Sequence, residues 1–203
     1  APVPPPAPTP APQAAVLSPD IACWGDSLTP PFAANLQLLV GAREVYNGGV
    51  VGETSTQIAA RETADTDHRD WISIFWYGAN NPTEPDQVKA DIAASIAALA
   101  PGNDRFYVLS VVNVANTDGE PGGIAYADIL QLNQDLAKLY PDNYYDIRSY
   151  LVSQYNPALP QDVLDHQMDL VPSSLRFDII HLNNDGSVLV AQKVKELLDA
   201  KGW

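Results

Sequence analysis

A serine, a histidine and an aspartate stand in this sequence where they could act on one another. Gly25-Asp26-Ser27-Leu28-Thr29 directly follows the apolar run Ile21-Ala22-Cys23-Trp24. A serine hydroxyl attacks a carbonyl carbon only when a base takes its proton. Three histidines are candidate bases: His68, His166 and His181. His181 is the best equipped, because Asp178 precedes it by three residues in Phe177-Asp178-Ile179-Ile180-His181. In a tight turn that spacing puts carboxylate and imidazole on one side. Asp178 would then accept from Nδ1–H and leave Nε2 free to deprotonate Ser27. A D-x-x-H pattern alone recurs by chance, and a lone serine here is equally a helix N-cap. Their combination carries the weight.

Attack on a carbonyl also requires hydrogen-bond donors for the oxygen that becomes negative. Two loops offer them. Asn47-Gly48-Gly49-Val50-Val51-Gly52-Glu53-Thr54 is glycine-rich, so backbone N–H groups can approach a ligand closely. Tyr77-Gly78-Ala79-Asn80-Asn81 can present a side-chain amide.

These segments need a frame that aims them at one point. Short strands are expected at 21–24, 44–46, 71–77, 106–112 and 144–147, the clearest being Trp-Ile-Ser-Ile-Phe-Trp-Tyr at 71–77. Between them the spacing predicts helices over 32–40, 54–62, 85–99 and 125–140, with a terminal helix over 185–201. Within 85–99, Val88, Ile92, Ile96 and Leu99 form one apolar stripe, halted by Pro101-Gly102. Strands alternating with helices imply a parallel sheet covered on both faces, a three-layer α/β/α sandwich. Such sheets bind ligands beyond the carboxyl ends of their strands. The loops opening at Gly25, Asn47, Tyr77 and Asn113 all fall on that rim. The stretch 151–177 reads as long and irregular, lying over or beside the same edge.

Four blocks in this order resemble those of the SGNH (GDSL) hydrolases: Gly-Asp-Ser-Leu at 25–28, Asn47-x-Gly49-x-x-Gly52-Glu53-Thr54, Gly78-x-Asn80, and Asp178-x-x-His181. The resemblance covers about residues 21–198. It implies a flavodoxin-like fold with a five-stranded parallel sheet, no metal and no cofactor. It further implies that Ser27 is the nucleophile, with His181 as base and Asp178 orienting it. The oxyanion would be held by the Ser27 and Gly52 amides and the Asn80 side chain. Two departures stand out. Asn81 occupies the place of the usual aspartate after Asn80, and Glu53 replaces the more frequent aspartate after Gly52. The missing second glycine after Ser27 sets the chain apart from the G-x-S-x-G elbow of α/β-hydrolases.

Net charge is −14 over 203 residues, which disfavours nucleic-acid and anionic-membrane partners. No apolar run approaches the roughly 20 residues of a membrane span. Cys23 is the only cysteine and reads as a buried, inert thiol. Residues 1–18 form a Pro/Ala-rich tail, with the catalytic domain expected over 19–203. Such a tail and the missing initiator Met suggest export: a secreted, periplasmic or surface-anchored protein, expected to be a monomer. The substrate expected from the resemblance is a small-molecule or polysaccharide ester, first of all an O-acetylated carbohydrate. A lipase or thioesterase for longer acyl chains is the alternative, and a non-catalytic carbohydrate-binding domain on the same fold is another. Tyr150 and Tyr155 are candidate substrate-binding rings. The loop Asp65-Thr66-Asp67-His68-Arg69-Asp70 lacks the glycine and glutamate of a calcium loop. Asp162, Asp165, His166 and Asp169 share one helical face and read as an exposed acidic surface.

Overall fold

A computed structural model describes residues 17–203, so almost all of the expected Pro/Ala tail lies outside the described residues. Five strands form one parallel sheet: β1 (Ile21–Gly25), β2 (Val45–Gly49), β3 (Ile72–Trp76), β4 (Phe106–Leu109) and β5 (Tyr144–Tyr145), in the order β2-β1-β3-β4-β5. The helices are α1 (Thr29–Leu39), α2 (Ser55–Ala64), α3 (Pro85–Ala98), α4 (Ile124–Leu139), α5 (Ile147–Ser153), α6 (Pro160–Gln167) and α7 (Asn184–Lys201). A 3-10 turn at Ser173–Leu175 precedes the Asp178–His181 segment.

Alternation along each strand divides the interior into two cores. Ile21 and Cys23 of β1, with Ile72, Ile74 and Trp76 of β3, face Phe32 and Leu36 of α1 and Val190, Val194 and Leu198 of α7. Ala22, Trp24, Phe75 and Val108 face Ile58 of α2, Val88 and Ile92 of α3, and Leu132 and Leu136 of α4. Fully burying a leucine, isoleucine or phenylalanine contributes about 1.5–3 kcal/mol, so both helix layers are held to the sheet by apolar area. Strands covered on both faces are predominantly apolar, which is why β1, β3 and β4 show no regular polar alternation, Ser73 of β3 being the one buried polar side chain among them.

β1 neighbours β2 on one side and β3 on the other, while α1 and α2 leave to opposite faces. This is the reversal point of the winding, and the crevice beyond the carboxyl ends of β1 and β3 opens there. β2 runs further than its apolar residues suggest, through Gly48 and Gly49. A Cβ on Gly48 would stand 2.6 Å from the Trp24 ring, and one on Gly49 would stand 2.6 Å from Pro30 Cδ and 2.9 Å from the Asp26 carbonyl oxygen. These glycines let the edge strand lie against the loop that carries Ser27.

The stretch 151–177 is more regular than its sequence suggests: it holds the end of α5, all of α6 and the 3-10 turn. The last strand is shorter than expected, because Asp146 caps α5, accepting from the Ser149 amide at 3.0 Å.

Candidate active site

Ser27 follows β1 by two residues, at the entrance to α1. Its loop is shaped by Asp26, which is 1% exposed and accepts from the Leu28 amide at 2.9 Å through Oδ1. Asp26 Oδ2 is buried without a partner among the described residues. Burial therefore pushes this carboxyl up to about 6, offset in part by the Leu28 amide and by His181.

His181 sits on a short loop leading into α7. Asp178 Oδ1 accepts from the amides of Ile180 and His181, both at 2.7 Å, closing the turn expected from the spacing. Asp178 Oδ2 lies 2.8 Å from His181 Nδ1, and His181 Nε2 lies 3.0 Å from Ser27 Oγ. These amides and the imidazole hold the Asp178 carboxyl down at about 2. A proton on Nδ1 thus points at a carboxylate that stays charged, while Nε2 is positioned to accept from the serine hydroxyl.

The same loop is tied at its base. Phe177 N–H donates to the His181 carbonyl at 3.1 Å, and Asn183 N–H donates to the Leu175 carbonyl at 3.0 Å. Asn183 also donates through Nδ2 to the Ser174 carbonyl (2.8 Å) and caps α7 by accepting from Gly186 N–H (3.0 Å). Underneath lie Asp162 and Asp165, only 1% and 4% exposed. Asp162 accepts from the Ser174 amide at 3.1 Å and the Ser174 hydroxyl at 2.6 Å, and Asp165 accepts from the Ser173 amide at 2.6 Å. The expected exposed acidic face is therefore corrected: these two carboxylates are buried because the turn of Ser173–Leu175 supplies their donors.

On the opposite rim, Gly52 adopts φ +78°, the left-handed region that suits glycine. Neither the Ser27 nor the Gly52 amide donates to a protein acceptor among the described residues. Asn80 donates one amide hydrogen to the Glu53 carbonyl at 2.9 Å. A primary amide carries two donors, so one remains for a ligand. Glu53 in turn accepts from Arg61 at 2.7 Å, and Arg61 donates to the Gly48 carbonyl at 2.8 Å. The Gly52 loop and the Asn80 loop are thereby fixed to one another and to β2.

Asn81 also finds its reason. Its Oδ1 accepts from the Ser55 amide (3.1 Å), while Nδ2 donates to Ser55 Oγ (3.0 Å) and Glu84 Oε2 (3.2 Å). Ser55 Oγ donates to the Asp91 carboxylate at 2.6 Å. With Glu84 in contact and Asp91 one hydroxyl away, an amide serves here where a carboxylate would add a third negative charge.

A cavity of about 240 Å³ opens over Ser27 and His181, walled by Leu28, Pro31, Val51, Phe177 and Leu182. The Phe177 ring stacks on the His181 imidazole, with centroids 5.5 Å apart and planes 11° from parallel. Neither a protein-family model nor a curated protein matches the sequence. Solved structures do resemble it. A lipase/acylhydrolase from Enterococcus faecalis superposes with a TM-score of 0.69 at 14% identity, covering 90% of this chain and 96% of that one. A GDSL-like lipase from Bacteroides thetaiotaomicron gives 0.68 at 14% identity, covering 90% and 88%.

The fold is that of GDSL acylhydrolases. A further match in shape is the C-terminal catalytic domain of a Streptococcus pneumoniae peptidoglycan O-acetyltransferase, with a TM-score of 0.59 at 14% identity, covering 91% and 95%. On this GDSL-type fold, Ser27, Asp178 and His181 stand in one hydrogen-bonded line. Gly52 and Asn80 sit on the loops after β2 and β3. The two tyrosines lie elsewhere. Neither lines the cavity at Ser27: Tyr150 packs beneath Lys193, whose Nζ is 4.7 Å from the ring centroid, and Tyr155 stacks on His166 at 4.0 Å. Phe177, Val51 and Pro31 line the cavity without having been singled out in the sequence; their only signal was adjacency to the four blocks. Cys23 is buried, and burial pushes its thiol up, in keeping with an inert side chain. Among the described residues no helix is long and apolar enough to cross a membrane.

Proposed function

We propose that the protein hydrolyses carboxylic esters through an acyl-enzyme formed on Ser27. The observation that carries this reading is the line Ser27 Oγ–His181 Nε2–His181 Nδ1–Asp178 Oδ2, at 3.0 and 2.8 Å. His181 takes the serine proton as Oγ bonds to the ester carbon. The carbonyl oxygen becomes negative within reach of the Ser27 and Gly52 amides and the spare Asn80 hydrogen. Collapse of this adduct breaks the bond to the alcohol, which leaves with the proton from His181. Water then attacks the acyl-enzyme by the same route and releases the acid.

The acyl group we favour is apolar and larger than acetyl. A methyl group is close in size to a water molecule, whose share of liquid volume is about 30 Å³. An acetyl group alone would fill little of the 240 Å³ cavity, whose walls of Leu28, Pro31, Val51 and Leu182 are apolar and suit a larger acyl group. The O-acetyl carbohydrate reading stands second, supported by the likeness to the peptidoglycan O-acetyltransferase domain. The free donor groups count against a non-catalytic binding domain. The acidic balance and the Pro/Ala-rich tract fit an exported enzyme. The deciding experiment is Ser27→Ala: it should abolish turnover of p-nitrophenyl esters and covalent labelling by a fluorophosphonate probe while leaving the melting temperature near that of the parent. Turnover retained in that variant would overturn the assignment.

A further inference from the structure

The cavity over Ser27 does not end at Phe177. A second groove, of about 390 Å³, lies between α1 and the start of α7 and shares Pro31, Phe177 and Leu182 with the first. Its α1 wall is made by Pro31, Ala34 and Asn35, which fall on one helical face at three- and four-residue spacing. Its α7 wall carries Asn184 and Ser187. Asn35 Nδ2 donates to the Pro31 carbonyl at 3.0 Å and to Ser187 Oγ at 3.3 Å, tying the two walls together. Between the two spaces stands Phe177, 69% exposed although aromatic, with one face on His181.

We propose that this groove is an acyl-chain subsite, and that the natural substrate is an ester or thioester whose acyl chain runs from Ser27 past Phe177 into the cleft between α1 and α7. This rests on the esterase reading above and specifies its substrate class. The occupant follows from continuity: the groove begins at Pro31, Phe177 and Leu182, the wall it shares with the cavity over Ser27, and these residues give it an apolar entrance. The chain covers the exposed Phe177 ring, removing apolar surface from water that the folded protein otherwise leaves wet. The polar far end, at Asn35, Asn184 and Ser187, sets where the apolar stretch stops.

The test is kcat/KM for p-nitrophenyl acetate, butyrate, octanoate and decanoate in the parent and in Ala34→Trp. Ala34 is exposed on α1, so a tryptophan there fills the groove without entering the core. In the parent, kcat/KM should climb from acetate to octanoate, at most about fourfold per fully buried methylene. Ala34→Trp should cut the octanoate-to-acetate ratio at least tenfold. Leu38→Trp, on an 82% exposed position of α1 outside the groove, should leave that ratio unaltered. Ser27 dependence with a ratio that is flat across chain length, or unmoved by Ala34→Trp, overturns the groove and leaves the esterase intact. Hydrolysis that survives Ser27→Ala overturns both.

Discussion

Arg176 stands between Asp165 and the backbone of the Asp178–His181 loop: its Nη2 is 3.3 Å from Asp165 Oδ2, and its Nη1 donates to the Asp178 carbonyl oxygen at 3.3 Å. A third nitrogen, Nε, donates to the Val171 carbonyl at 2.9 Å. A planar guanidinium holds its donors in a fixed fork, so it braces these three points in one set geometry. Asp178, itself 41% exposed at its side chain, is thus held from beneath by a buried carboxylate on α6.

Asp165→Asn keeps the shape and removes the charge that holds Arg176. We expect kcat to fall about 10- to 100-fold with KM little changed, because a small misplacement of the base costs rate rather than binding. The loss should vanish in an Asp178→Asn background, since residues acting through one another are not additive. An equal loss in both backgrounds would mean that Asp165 acts only on folding. Asp165→Ala should in addition lower stability by about 3–5 kcal/mol, the cost of stranding one member of a buried ion pair.

Asn80→Ala should lower kcat by about 100-fold, near 3 kcal/mol, with KM almost constant. Because Asn80 also holds the Glu53 carbonyl, Asn80→Asp is an informative companion: its carboxylate can neither donate to that carbonyl nor solvate an oxyanion. It should be at least as slow as the alanine variant. Steady-state kinetics on one activated ester decide the point.

Stability should fall as pH rises from acid towards neutral. Burial pushes Glu62 up to about 7, eased by a hydrogen bond from Ser95 and by the charge of Arg69, and pushes Asp26 up to about 6. In the unfolded chain such carboxyls titrate near 4. Between about pH 4 and 7 the native state therefore holds more protons than the unfolded state, and stability falls as pH rises. Asp178, depressed to about 2, acts in the other sense, its contribution being lost as pH falls from about 4 to about 2. Melting temperatures should therefore drop from pH 4 to pH 7, and Glu62→Gln should flatten the upper part of that slope.

Gly49→Ala places a Cβ 2.6 Å from Pro30 Cδ and 2.7 Å from Thr29 Cβ. We expect about 1–3 kcal/mol of destabilisation from overpacking. The accompanying shift of the Ser27 loop should lower kcat, read by urea denaturation alongside activity.

Much of the site was legible because its parts are local. Asp178 and His181 close their turn within four residues, and Ser27 follows an apolar strand whose type is plain. The supporting frame was not. α5 and α6 span 7 and 8 residues, too short for periodicity to announce. Asp162 and Asp165 bind backbone amides 8 to 12 residues downstream, a pairing with no pattern of its own, so they read as surface charges. Tyr150 and Tyr155 show the reverse: ring-rich sequence suggested a binding surface, but Tyr155 found His166 and Tyr150 found Lys193.

Ser27 and His181 are separated by 154 positions, and α7, which follows the Asp178–His181 loop, packs against α1, which follows Ser27. Bringing such distant groups together is entropically costly and comes with late, non-local contacts. On the proposed mechanism, turnover reports on the completeness of the fold: a chain whose last helix has not docked should be chemically silent, even with the sheet formed. Proteolytic nicking before α7, or loosening of the α1–α7 contact, should extinguish turnover before it melts the rest of the domain.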